Sequence, residues 1–157
     1  MGDDGLTVET VLDLIPQQPP FRFIDGIDEM DEDHIVGSYR FRQNEYFYRG
    51  HFPGNPVTPG VILLETMAQT GVVAFGIYLM LSRGRSPEEI GQMATLFATA
   101  DSVEFSDVVR PGETVFVRGS KIYLRRDSLK TDIIMEKEDG RLVCSGTLAG
   151  KGVSFDE

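Results

Sequence analysis

Apolar positions recur along this chain at two periods, and the period decides which element each stretch predicts. Over 7–14, with Ile15 beyond it, Val8, Val11, Leu12 and Ile15 fall at helical spacing, with Thr7 as the cap and Pro16 as the stop. Phe21, Phe23 and Ile24, entered through the rigid Pro19-Pro20, read as a first strand. The acidic run Asp31, Glu32, Asp33 reads as a turn, and 35–42 as a second strand. The longest apolar run is 61–81, which is long enough to cross a bilayer. Glu65 and Gln69 lie inside it, and a carboxylate at mid-membrane is costly, so the run predicts a buried core helix. Thr58 is expected to cap that helix, with Pro59 at its first position.

Beyond this helix the pattern turns to β. Strands are expected at 97–109, 114–125, 129–136 and 142–149, separated by Pro111-Gly112, by Arg126-Asp127-Ser128 and by the hairpin signal Asp139-Gly140. Leu129, Thr131, Ile133 and Met135 alternate with Lys130, Asp132, Ile134 and Glu136, as a half-buried strand requires. A long helix with several strands predicts an α+β fold, an antiparallel sheet curled around the helix.

Composition narrows the picture. The length suits a single domain, 1–157, with loose ends at 1–5 and 153–157. The net charge of −10 supplies no phosphate-neutralising excess, which argues against nucleic acid and against an anionic membrane surface as partners. Glu9 and Asp13 precede any apolar run, an order unlike that of a secretory signal. Cys144 is the only cysteine, so no intrachain disulfide exists, which favours a reducing, cytoplasmic setting. It falls in an alternating run with Leu142, Gly146 and Leu148 and reads as a small buried hydrophobe without chemistry.

Candidate chemistry gathers around one Gly/Pro-dense loop, 50–60, and the helix that follows it. Of two histidines, His34 follows three acidic residues in a turn and reads as a surface group. His51 lies in the loop, between rigid elements, where catalytic groups concentrate. Glu65 is the only charged residue between 61 and 81; burial without a partner raises its pKa and keeps it protonated, as a general acid must be. Gln69, four residues on, shares a face with Glu65 and is placed to hold it. The first amides of the helix, at Gly60 and Val61, lack intrahelical partners at the positive end of the dipole and suit an oxyanion. Plainer readings stand beside these: a Glu/Gln pair satisfied in a polar pocket, and Gly60 as a turn glycine. A base, an acid and an oxyanion donor are what removal of water from a 3-hydroxyacyl thioester requires, with His51, Glu65 and the Gly60 amide in those roles. The scheme calls for no cofactor and no metal.

The segment Gly50-His51-Phe52-Pro53-Gly54-Asn55-Pro56-Val57-Thr58-Pro59-Gly60-Val61-Ile62-Leu63-Leu64-Glu65-Thr66-Met67-Ala68-Gln69 closely resembles the 3-hydroxyacyl-[acyl-carrier-protein] dehydratase family of fatty-acid synthesis. Weaker echoes are Pro20-Phe21 through Ile24-Asp25, and Asp101 to Pro111 with Gly112. The resemblance implies the hotdog fold, a long helix wrapped by an antiparallel sheet. It also implies a homodimer in which His51 of one protomer meets Glu65 of the other, and an acyl tunnel lined by residues such as Phe52, Pro59, Leu63 and Met67. Glu65, where the isomerising branch carries aspartate, implies simple dehydration. The substrate would ride on acyl carrier protein or coenzyme A.

Two departures concern the partner. Gln17-Gln18 stands where the family usually has a His-Arg pair, and Gly26 where an arginine commonly follows the Asp. Those basic positions often help receive an acidic carrier, and net charge −10 steers poorly toward one. Arg22, Arg40, Arg42 and Arg49 either form a local positive rim or solvate strand faces. Three further functions remain open on the sequence: hydration of an enoyl coenzyme A thioester, thioester hydrolysis, and non-catalytic acyl binding.

Overall fold

Gly60–Ser82 is a single helix of 23 residues, and its most apolar window is 72% buried by the rest of the chain. In the computed structural model, which describes residues 7–155, this helix lies on one face of a six-stranded sheet. The strands are β1 (Gly26–Met30), β2 (His34–Arg40), β3 (Met93–Phe105), β4 (Thr114–Arg125), β5 (Ser128–Lys137) and β6 (Leu142–Ser154). Their order across the sheet is β1-β2-β4-β5-β6-β3, and every neighbouring pair is antiparallel. This is the expected α+β hotdog arrangement, and β3 is left as a long outer edge.

Sheet and helix approach closely because side chains are missing where they cross. A Cβ on Gly119 of β4 would lie 3.0 Å from the Gly71 Cα, and one on Gly71 only 2.4 Å from Ile133 Cδ1. A larger residue at Gly119 would press on the Gly71 backbone, and one at Gly71 would have to displace the Ile133 side chain. At that crossing the helix loosens from α2 (Gly60–Ala68) into a π-helical turn, Gln69–Ala74, before resuming as α3 (Phe75–Ser82). A π turn displaces carbonyls from the regular ladder. Thr131 Oγ1 on β5 donates to the Gly71 carbonyl at 3.1 Å, one of the few polar contacts in this layer.

Two clusters of buried side chains flank the crossing. One packs Leu63, Met67 and Val72 against Phe23, Phe41, Val117, Ile133 and Leu148. The other packs Phe75 and Leu79 against Ile35, Leu129 and the N-terminal helix α1 (Val8–Leu14), through Val11. Thr7 caps α1 as expected, its side chain accepting from the Thr10 amide at 3.1 Å. Leu129, Thr131, Ile133 and Met135 are all buried, so the alternation in β5 was read in the right phase. Cys144 is fully buried, and burial pushes its thiol up to about 11, consistent with an inert side chain.

Several boundaries differ from the sequence reading. Residues 21–24 are not a strand; the first strand begins at Gly26, and Phe23 and Ile24 are buried from a loop. The helix is capped by Pro59 without a side-chain bond, because the Thr58 hydroxyl is taken by Tyr48 Oη at 2.6 Å. A short helix, α4 (Pro87–Ile90), was not anticipated, although Ser86 and Glu89 form a capping box there. β3 starts and ends earlier than 97–109. β6 runs past 149, pairing Val153 with Ala94, and the Phe155 amide donates to the Gln92 carbonyl at 2.9 Å. Residues 153–155 are therefore held rather than loose; 1–5 and 156–157 lie outside the described residues.

Candidate active site

The loop that carries His51 is braced by its own backbone. The Phe52 and Asn55 amides each donate to the other's carbonyl, at 3.2 and 2.9 Å, around a turn in which Gly54 has φ +74°, a conformation that favours glycine. The Val57 amide donates to the His51 carbonyl at 2.9 Å, and His51 Nδ1 lies 2.8 Å from the Val57 carbonyl. A carbonyl only accepts, so Nδ1 carries the hydrogen and Nε2 is the open, basic nitrogen of the neutral ring. The ring stacks on Phe52, centroids 4.1 Å apart, and the His51–Phe52 peptide is cis. His51 is thus a partly exposed imidazole of fixed tautomer.

Glu65 and Gln69 meet as the helical spacing predicts. Gln69 Nε2 donates to Glu65 Oε2 at 2.8 Å and to the Phe21 carbonyl at 2.9 Å, while the Phe23 amide donates to Gln69 Oε1 at 2.7 Å. One fully buried amide therefore fixes the carboxylate and ties the 21–23 backbone to the helix. This also explains why 21–23 needs no strand partner: a side chain satisfies its buried polar groups. Replacing Gln69 by leucine should strand the Phe21 carbonyl and Phe23 amide. That should cost about 2–4 kcal/mol, a fall in melting temperature of roughly 5–15 °C in a calorimetric scan.

Burial pushes the Glu65 carboxyl above its ordinary 4.5, and the bond from Gln69 only partly opposes this. A raised folded pKa means a stability contribution present in full below pH 4.5 and lost as pH rises through the folded value. Glu65→Gln removes that loss. Its melting temperature relative to wild type should therefore climb between pH 4.5 and 8; a constant difference would show the carboxyl to be unperturbed.

A small cleft, with about 30 Å³ of enclosed space, opens beside Glu65. Its helix wall is Glu65, Ala68, Val72 and Val73, and the sheet supplies Thr95, Leu96 and Phe97 from β3 with Ala149 and Gly150 from β6. Gln17 closes one side. Positions 68 and 72 follow 65 at helical spacing, whereas 63 and 67 point the opposite way. Accordingly Leu63 and Met67 are core residues, Phe52 is half exposed against His51, and none of Phe52, Pro59, Leu63 and Met67 lines this cleft. The lining differs from the set expected for the tunnel because those residues face the core or the loop. His51 is not among the lining residues either.

At the helix start, Gly60 is the first helical residue, and the Ile62 and Leu63 amides already donate to the Pro59 carbonyl. The Gly60 and Val61 amides precede the first intrahelical bonds. A Cβ on Gly60 would come within 3.2 Å of the half-exposed Phe105 ring, so a larger residue here would have to push that ring aside. Val61 is 73% exposed. Of the arginines considered for a positive rim, Arg22 donates to the Leu12 carbonyl, Arg40 to the Gly112 carbonyl, and Arg42 pairs with Asp25 at 2.9 Å. Those three serve the fold. His34 sits on the surface between Glu29 and Asp31, and the bond to Glu29 holds its pKa above the ordinary value.

Comparison with known proteins decides the lineage. A family model described as a FabA-like domain matches residues 15–147, most of the chain. The chain belongs to the FabA-like family. Curated relatives named 3-hydroxyacyl-[acyl-carrier-protein] dehydratase FabZ include one from Caldicellulosiruptor bescii, 37% identical over 142 residues, 90% of this chain and 94% of that one. Another, from Chloroflexus aggregans, is 42% identical over 111 residues, 70% and 71% of the two chains. Among solved structures, the dehydratase heterocomplex ApeI:P from Xenorhabdus doucetiae superposes with a TM-score of 0.76 at 11% identity, covering 94% and 93%. A thioesterase from Haemophilus influenzae superposes with a TM-score of 0.62 at 18% identity, covering 96% and 93%. At such identities the structural likenesses establish the FabA-like fold alone, which carries several chemistries.

Proposed function

We infer that this FabA-like protein dehydrates a 3-hydroxyacyl thioester carried on acyl carrier protein to the trans-2-enoyl thioester, in fatty-acid or related acyl-chain synthesis. The observation that carries the reading is the Glu65–Gln69 pair: a carboxyl whose pKa burial raises, held by a buried amide beside a mostly apolar cleft. His51 Nε2 takes the C2 proton, Glu65 gives its proton to the C3 oxygen, the C3–O bond breaks, and water leaves as the C2–C3 double bond forms. The imidazolium and carboxylate left behind are reset by transfer of one proton through solvent. The Gly60 and Val61 amides stabilise the enolate-like oxygen that develops in between. The acyl chain extends past Glu65 along Ala68 and Val72.

The working unit is a homodimer. β3 is an edge strand of 13 residues that offers unpaired backbone groups, and Leu96, Phe97 and Phe105 on it are each about half exposed. Val61 at the helix start and Phe52 on the His51 loop are exposed apolar side chains as well. Such an edge invites pairing with a second copy, and pairing there brings the partner's catalytic loop toward Glu65, which His51 of the same protomer does not join in one cleft. The lone, buried Cys144 suits a reducing cytoplasm.

The test is absorbance of the conjugated enoyl thioester, with short and medium 3-hydroxyacyl chains on carrier protein and on coenzyme A. Product from the carrier-bound substrate supports the reading, and product from coenzyme A alone moves the carrier assignment. Release of free thiol without enoyl product would replace dehydration by hydrolysis.

A further inference from the structure

Gln17 ends a rigid approach. Ile15 is buried, Pro16 stops α1, and the Gln18 side chain turns back to donate to the Ile15 carbonyl at 3.1 Å. The segment delivers the Gln17 side chain to the cleft that holds Glu65. Its Oε1 is buried and has no hydrogen-bond partner, unlike every other buried side-chain nitrogen or oxygen among the described residues. A buried amide oxygen left unpaired costs stability, and because Gln17 and Glu65 line one cleft, a ligand entering that cleft is the group that could complete it.

The chemistry of that ligand follows from the atom. An amide oxygen only accepts, so the ligand must bring a donor. On the dehydratase reading, on which this inference rests, the reacting part of the substrate has a single donor: its 3-hydroxyl. The thioester carbonyl and sulfur donate nothing, and the enoyl product has no donor at C3.

We propose that Gln17 positions the substrate: its Oε1 accepts the hydrogen of the 3-hydroxyl and so turns an oxygen lone pair toward the Glu65 carboxyl. Glu65 Oε2 is already engaged by Gln69, which leaves the other carboxyl oxygen to carry the proton. As that proton moves to the hydroxyl oxygen, the O–H held by Gln17 becomes more acidic and its hydrogen bond strengthens, so the contact favours the transition state over the bound substrate. The enoyl product loses the contact altogether. Gln17 therefore separates substrate from product by the hydroxyl alone.

The experiment compares Gln17→Met, which removes the acceptor at similar volume, with Gln17→His, whose neutral ring keeps one accepting nitrogen. KM and kcat are measured for dehydration of a 3-hydroxyacyl thioester and for hydration of the matching enoyl thioester, with a thermal melt of each variant. In Gln17→Met, KM for the hydroxyacyl substrate should rise about 3–10-fold and kcat should fall, while KM for the enoyl thioester stays within about twofold. Gln17→His should recover most of the hydroxyacyl KM. The melting temperature of Gln17→Met should equal or exceed that of wild type, since no protein partner is lost. A melting temperature lowered by several degrees would make the amide a brace of the fold and overturn the proposal. So would KM changes equal for both substrates, no change in either, or a Gln17→His variant as impaired as Gln17→Met. A wild type that forms no enoyl product would remove the dehydratase reading and this inference together; an active wild type with an indifferent Gln17→Met removes this inference alone.

Discussion

Replacing His51 by alanine is expected to lower turnover by a factor of about 10²–10⁴ with the fold intact. The size follows from the role: proton abstraction at C2 has no other base beside it on the loop, and a positioned general base accounts for about that much rate. The fold should survive because the ring is partly exposed and its ties are one bond to the Val57 carbonyl and the stack on Phe52. The loop keeps its backbone braces, including the Val57 amide to the residue-51 carbonyl. Enoyl-thioester absorbance gives the rate, and circular dichroism with a melt confirms folding. A folded variant with undiminished rate would end the assignment of His51 as base.

Mixing two inactive proteins should restore activity. Glu65→Gln keeps shape and removes the acid, so it should lose turnover on a scale similar to His51→Ala. If each site takes its base from one protomer and its acid from the other, a mixed dimer holds one site with both defects and one with neither. The purified mixed dimer should therefore return about half of the wild-type rate per dimer. A site complete within one protomer predicts no recovery. The experiment is co-expression of differently tagged variants, tandem purification of the mixed dimer, and the same absorbance assay. The outcome separates a shared site along the β3 edge from dimerisation without shared chemistry.

The parts of the site that were legible in the sequence are those encoded within a few residues. Glu65 stood out as the one charge in an apolar run, and Gln69 followed from helical spacing; the 2.8 Å bond between them is that spacing realised. Leu63 and Met67, named for an acyl tunnel only because the resemblance implies one, are turned by the same spacing into the core of this protomer. Phe21 to Ile24 looked like a strand because their apolar content fits one, and no local signal distinguishes a buried strand from a buried loop. What distinguishes them is Gln69, whose amide meets the Phe21 and Phe23 backbone across more than 40 residues.

By itself the sequence determined the rhythm of helix and strand and the α+β class, and it singled out His51 and Glu65 as the candidate base and acid. Hydrophobic period and the cost of a lone buried charge are properties of short segments, and they survive without knowledge of the rest. Only the tertiary structure decided the order of the strands, the exposed edge at β3, and a cleft that Glu65 and Gln17 line and His51 does not. Each of these depends on where segments distant in sequence dock. That is set by the packing of whole faces, such as the glycine crossing at Gly71 and Gly119, and no local pattern contains it.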